Sequence, residues 1–175
     1  METLSLKALF EQHYDFVWRS ARRLGVPEEA ADDAAQQVFL VASRKLEQIV
    51  PGSERAFLFG TAMRVASDVR RSSARRTGLQ ESHDEEALRL LADPGQGPEE
   101  QAERNRARAL LDAAIASMPD DVRPVFVLFE LEGMTMSEIA TTVEIPAGTV
   151  ASRLRRAREH FQDWVKRLQA RGERR

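Results

Sequence analysis

The side chains of this sequence best suited to chemistry are cations and one aromatic ring, and the chemistry they suit is recognition of phosphates and bases. Residues 138–158 read EIATTVEIPAGTVASRLRRAR, which places Arg153, Arg155 and Arg156 within four positions. A guanidinium presents paired N–H donors that fork onto phosphate oxygens or the edge of guanine. With Val150 at zero and about 100° per residue, Leu154 and Ala157 fall within about 40° of it, and Phe161 continues the stripe. Opposite lie Gly148, Ser152 and Arg155, flanked by Ala151 and Arg156. Small residues at 147, 148 and 151 allow a helix to approach another surface closely. In a helix-turn-helix the start of the second helix reaches base edges in the major groove while the first crosses the backbone. A basic amphipathic helix with a solvated face carries the same arginines. The capped first helix, the Ile-Pro break and the Gly-Thr-Val start favour DNA.

A second candidate is RAFLFGTAMRVASDVRRSSAR at 55–75. Leu58, Ala62, Val65 and Val69 share one helical face, and Phe57, Arg64, Asp68, Arg71 and Arg75 line the other. An aromatic beside a basic stripe suits single-stranded DNA, because the cations track phosphates while the ring stacks on an unpaired base. The bland alternative makes Phe57 a peripheral core residue. The third candidate is the helix from Pro27 to about Ile49. Asp32, Asp33, Gln36, Leu40 and Glu47 lie away from its apolar face of Ala31, Ala34, Ala35, Val38, Ala42 and Ile49. Carboxylates repel phosphates, so this surface fits a protein partner or is simply solvated.

The elements that must position these residues are helices throughout. Leu6, Leu9, Phe10, His13, Phe16, Val17, Ala21 and Leu24 recur at helical spacing, and Gly25 marks a stop. Ser53 caps a third helix reaching about Arg75. Further helices are expected over 100–117, from Pro119 to Leu131, from the Thr135–Glu138 capping box, and from Ala147 to about Arg167. No stretch alternates with period two. The expected fold is all-α: two small helical domains, 1–76 and 105–175, joined by a flexible acidic linker at 77–104. The linker contains a short apolar patch at Leu88, Leu90 and Leu91, and the second domain contains the helix-turn-helix.

The chain of 175 residues has 26 basic and 28 acidic side chains, a formal charge of −2. Charge is segregated, however. Residues 76–104 hold 3 basic and 8 acidic side chains, and residues 146–175 hold 9 and 3. Segregation of this kind is compatible with a polyanion partner. Cysteine is absent, and His13, His83 and His160 have no metal-ligand spacing. No metal or cofactor is expected. Neither a Ser/His/Asp set nor a phosphate loop is present, so enzymatic chemistry is the least favoured class. VFVLF at 125–129 is too short to cross a bilayer and the N-terminus lacks a secretory apolar core. The expectation is a cytoplasmic protein without membrane insertion.

These motifs carry a family resemblance. MPDDVRPVFVLFELEGMTMSEIATTVEIPAGTVASRLRRAR resembles region 4 of the extracytoplasmic-function sigma factors, group 4 of the sigma-70 family. ALFEQHYDFVWRSARRLGVPEEAADDAAQQVFLVASRKL is similar to regions 2.1 and 2.2, and 55–75 to regions 2.3–2.4. The resemblance covers about residues 6–75 and 105–168. It implies an alternative sigma factor that directs transcription initiation and has no catalytic residues of its own. By that likeness Gly148, Thr149, Ser152, Arg153, Arg155 and Arg156 read the −35 duplex. Phe57, Arg64, Arg71 and Arg75 act in −10 recognition and strand opening. Asp32, Asp33, Gln36, Phe39 and Leu40 dock on core RNA polymerase. The implied partners are the β′ clamp and β flap of the polymerase, promoter DNA and an anti-sigma factor. The sequence departs from the family pattern at Ala151, often Lys or Arg, at Phe57 for Trp, at Arg64 for Asn, and at Gln37 for Glu. A helix-turn-helix regulator that is no sigma subunit, and a helical adaptor that binds protein alone, remain alternatives; neither needs both a polymerase dock and a melting helix.

Overall fold

A computed structural model of the protein describes residues 5–77 and 99–172, with side chains described at 5–72 and 100–171. The expected linker therefore lies outside the described residues over 78–98, as does the short helix around Leu88–Leu91. Every regular element among the described residues is helical. In chain order they are α1 (Leu6–Arg23), α2 (Glu28–Arg44), a 3-10 turn (Leu46–Gln48) and α3 (Glu54–Thr77), then α4 (Glu99–Ala116), α5 (Arg123–Phe126) and its π-helical extension (Val127–Leu131), α6 (Met136–Val143) and α7 (Ala147–Gly172).

Local chemistry sets the boundaries. Ser5 caps α1 by accepting the Ala8 amide at 3.1 Å. At the other end Gly25 takes φ +91°, so that the Val26 amide reaches back to the Ala21 carbonyl and the Gly25 amide to Arg22. This paired closure satisfies carbonyls the helix leaves open. α2 stops at Arg44, short of the expected Ile49. There the Lys45 amide bonds only three residues back, to Ala42, a 3-10 turn follows, and Ile49 is delivered to the core from an extended position. The helix expected over 100–117 is α4, which starts at Glu99 and so overlaps the last residues of the expected linker. Pairs spaced four apart, Glu100–Arg104 and Gln101–Asn105, support helix there. The run expected from Pro119 to Leu131 is a turn, one helical turn and a π-helical turn. The Glu132 amide bonds Val127 and the Met134 amide bonds Leu128. At α6 Thr135 accepts the Glu138 amide while the Glu138 carboxylate accepts the Thr135 amide at 2.8 Å. Those bonds hold the Glu138 carboxyl below its ordinary pKa.

Helices α1–α3 form one unit and α4–α7 another, and the two pack together along a seam. A single apolar cluster runs through both, from Leu9, Phe16, Val38 and Phe59 to Val125, Leu128, Ile139 and Leu154. A satellite cluster of Ala113, Ala114, Trp164 and Leu168 fixes the end of α7 to α4. α3 lies against α6 closely enough that a Cβ added at Gly60 would sit 3.5 Å from the Thr142 carbonyl oxygen. Arg123 stitches the seam from inside. Its side chain is 8% exposed and donates to the carbonyls of Ile115, Ala116 and Met118 in its own half and to that of Leu24, the residue after α1.

Candidate nucleic-acid interface

α6 and α7 form the helix-turn-helix. The turn is made by Glu144 in the left-handed region (φ 59°, ψ 44°), with the Ile145 amide closing onto Ala140. Val150, Leu154 and Ala157 are buried against Ile139, as the periodicity requires. That rotation leaves Gly148, Ala151, Ser152, Arg155 and Arg156 exposed on one face, with Thr149 and Arg153 half-buried at its margins. Nothing lies within 4 Å of a Cβ built at Gly148, so the helix start is open to an incoming surface. Ser152 donates to the Thr149 carbonyl at 3.0 Å, and Arg156 pairs with Asp121 at 2.9 Å. Arg155 has neither a hydrogen bond nor an ion pair among the described residues. Arg158 is committed elsewhere, bonded to Glu130 at 2.7 Å and lying over the Phe129 ring.

On α3 the expected division into two faces needs revision. Phe57 is half-buried and packs on the core, while Phe59, assigned to no face above, is fully buried beside Leu58. The apolar arc is wide because α3 meets α1 and α2 on one side and α6 on the other. Arg64 is exposed but pairs with Glu144 of the helix-turn-helix at 3.0 Å. Arg71 donates to Ser67 at 2.9 Å and pairs with Asp68 at 3.6 Å. The Arg75 side chain lies outside those described.

The residues expected to dock on α2 differ in exposure. Asp33 and Gln36 are exposed, and Leu40 is 53% exposed. Phe39, by contrast, is 5% exposed, its ring 4.9 Å from Phe10 and stacked 6.3 Å from Tyr14. Asp32 is engaged by the Tyr14 hydroxyl at 2.7 Å, a bond that raises the tyrosine pKa. Leu6 and Phe10, named above for their helical spacing, are 38% and 42% exposed. Together with Phe39 and Leu40 they wall an open groove of about 700 Å³ between α1 and α2. Sequence reasoning also missed Arg123 and Glu132. An arginine inside the apolar run VRPVFVLF was the available signal for the first; Glu132 had none.

No helix among the described residues is long and apolar enough to cross a membrane. A three-helix unit with an acidic outer helix, coupled to a unit that carries a helix-turn-helix with an exposed basic face, defines an all-helical protein of two parts. Models of known families match both parts: sigma-70 region 2 over residues 9–76 and sigma-70 region 4 over residues 108–161. The ECF RNA polymerase sigma factor SigL of Mycobacterium tuberculosis is 31% identical over 155 residues, covering 87% of this chain and 84% of the relative. The ECF RNA polymerase sigma-E factor of Escherichia coli is 30% identical over 151 residues, 82% of this chain and 78% of the relative. SigE of Mycolicibacterium smegmatis is 33% identical over 160 residues; the match takes in 90% of this chain but only 60% of that protein. The chain belongs to the ECF sigma factors of the sigma-70 family. Its fold is shared with the sigma factor RpoE solved in complex with the anti-sigma factor NepR from Bartonella quintana, at a TM-score of 0.68 and 22% identity, over 91% of this chain and 96% of that one. CnrH in complex with the cytosolic domain of CnrY superimposes with a TM-score of 0.64 and 22% identity, over 92% and 87%.

Proposed function

We propose that this chain is an alternative sigma factor that binds core RNA polymerase in the cytoplasm and directs promoter-specific initiation. The polymerase performs the catalysis, and this chain supplies recognition alone. In this reading α7 enters the major groove at the −35 element, and Gly148, Thr149, Ser152, Arg153, Arg155 and Arg156 meet bases and phosphates there. α3 faces the −10 element, where Phe57 wedges into the opened strand and Arg64, Arg71 and Arg75 neutralise its phosphates. α2 docks on the β′ clamp through Asp32, Asp33, Gln36 and Leu40. Phe39 acts from below as the floor of the adjoining groove. The second unit meets the β flap, and an anti-sigma factor holds the protein in reserve.

The observation that carries the reading is the start of α7. It combines open space at Gly148, an exposed face of small residues and an unengaged Arg155 on a capped helix-turn-helix. A sequence-blind basic helix needs none of these except the arginine.

Transcription initiation tests it directly. Purified chain, core polymerase and a promoter library are combined and start sites are scored. Programmed initiation at a shared −35/−10 pattern is expected. Absence of polymerase binding at low salt overturns the sigma reading, even if DNA binding persists. Because Phe57 is half-buried, Phe57→Leu preserves packing better than Phe57→Ala. It should impair strand opening while sparing −35 binding, and equal loss of both refutes the assignment of opening to α3.

A further inference from the structure

Two neighbouring arginines on the exposed face of α7 are held differently. Arg155 is exposed and unengaged among the described residues, whereas Arg156 is tied through Nη1 to Oδ2 of Asp121 at 2.9 Å. Asp121 lies 35 residues earlier in the chain, in the turn between α4 and α5 and outside the helix-turn-helix. The carboxylate therefore reaches the reading helix from its flank, and no residue of the two-helix motif supplies it.

The turn that carries Asp121 is fixed on both sides. The amides of Val122 and Arg123 both donate to the Pro119 carbonyl, at 3.2 and 3.1 Å, and the Val122 side chain is buried. The Asp120 carboxylate takes Arg123 at 3.1 Å on one oxygen and Arg70 at 3.3 Å on the other. A backbone anchored in this way does not follow a moving side chain, so Asp121 is the post and Arg156 the group that is oriented. Folding stability is not what the pair supplies. Its side chains are 54% and 42% exposed, where water screens most of the attraction. What the bond does is select an edge of the guanidinium. With Nη1 held by the carboxylate, Nε–H and Nη2–H remain as two parallel donors spaced for two acceptors in one plane. Guanine presents such a pair, N7 and O6, in the major groove. An untethered guanidinium such as Arg155 suits a phosphate, which accepts donors from many directions.

We propose that Asp121 is a positioning residue for base recognition: it turns the free edge of Arg156 toward a guanine of the −35 duplex, and so gives α7 a discrimination that its charge alone does not. The inference rests on the proposed entry of α7 into the major groove. It carries two opposed consequences. Asp121 is an anion beside a polyanion, so removing its charge raises affinity for any duplex. The same removal lets Arg156 swing, so discrimination falls. A residue that only shapes the fold would lower both quantities, and one that only repels DNA would raise affinity with discrimination intact.

The test uses holoenzyme assembled from the full chain and core polymerase. Its probe is a duplex library that keeps the promoter found by start-site scoring and randomises the −35 positions. Bound templates are sequenced, and retention of a random-sequence duplex is measured in parallel. Arg156→Ala is expected to erase a guanine preference at one or two positions. Asp121→Asn should weaken preference at those same positions by about threefold or more, a part of the roughly five- to hundredfold that a bidentate contact discriminates. It should also retain more of the random duplex. Asp121→Glu keeps the carboxylate and should preserve more of the preference than Asp121→Asn. A wild-type profile for Asp121→Asn at positions that Arg156→Ala erases overturns the positioning role. So does a loss there accompanied by weaker retention of random duplex and a lower Tm, which marks a structural effect. A profile unaffected by Arg156→Ala instead removes Arg156 from the base contacts, and the failure then lies in the proposed role of α7 on which the inference depends.

Discussion

Replacing Arg123 with methionine removes a guanidinium that ties the end of α4 to the residue after α1, and the size of the loss follows from its partners. The guanidinium donates to Ile115 at 3.0 Å, Ala116 at 2.8 Å, Met118 at 2.7 Å and Leu24 at 3.2 Å, and pairs with Asp120 at 3.1 Å. Methionine refills the aliphatic volume, so the cost is electrostatic rather than a cavity. Water can reach the carbonyl of Ala116, whose bond is part-buried; Leu24 keeps a bond from Arg70 and Ile115 one from the Met118 amide, so Met118 is the buried carbonyl left without a donor. Each buried carbonyl left without a donor costs about 1–3 kcal/mol. Against this stands relief from burying the guanidinium, the burial that already pulls its pKa down. The net expectation is a loss of about 1–3 kcal/mol. For a chain of this length that lowers Tm by about 2–12 °C. Urea unfolding followed by far-ultraviolet circular dichroism measures it, with Arg71→Met on the exposed face of α3 as a control expected within about 0.5 kcal/mol. A loss below about 1 kcal/mol for Arg123→Met refutes the view that this guanidinium caps α4 and pins the seam.

Gly25→Ala should destabilise by at least about 1 kcal/mol in the same assay. Its φ of +91° strains any L side chain, and the new Cβ would meet Arg123 Nη1 at 2.8 Å; a neutral result would mean that the α1 turn can rearrange. Gly148→Ala should leave Tm unchanged or slightly higher, since its Cβ meets nothing, while weakening −35 duplex affinity measured by anisotropy. Unchanged affinity removes Gly148 from the contact set. Burial lowers the pKa of His13 and His160 below the ordinary 6.5. The unfolded chain therefore takes up protons first, and stability falls as pH drops through about 6.5 toward the depressed folded values. His13→Gln with His160→Gln should flatten that slope in urea titrations run across the window, and an undiminished slope assigns it to other groups.

Much of the helix pattern could be read from residue types because the deciding interactions are local. Ser5, Gly25, the Thr135–Glu138 box and the Val150–Leu154–Ala157 stripe act within a turn or two of themselves. Failures occurred where partners distant in sequence decide. Phe39 sits at a position suited to a surface, but Phe10 and Tyr14 fold over it. Leu6 and Phe10 share the helical spacing of α1 with the buried Leu9, yet they lie on the open side of the α1–α2 contact and line a groove. Phe57 and Phe59 exchange importance because α3 is covered from two directions. Glu132 and Arg123 carry their meaning across about a hundred residues of chain, a separation that periodicity cannot see. The exposed reading face of α7 was the most legible part of the candidate site, since a two-helix motif fixes its own inside and outside.

Glu144 has an implication for anyone who would engineer this protein. A left-handed residue at a helical turn is where glycine fits best, and an L side chain there costs about 1–2 kcal/mol. Its exposed pair with Arg64 returns about 0–1 kcal/mol, so stability alone does not explain the glutamate. A consensus or thermostability screen would therefore favour Glu144→Gly and report an improved molecule. It would also have deleted the carboxylate that sits on Arg64. A gain in hardiness at this residue would come with a lost contact between the helix-turn-helix and α3.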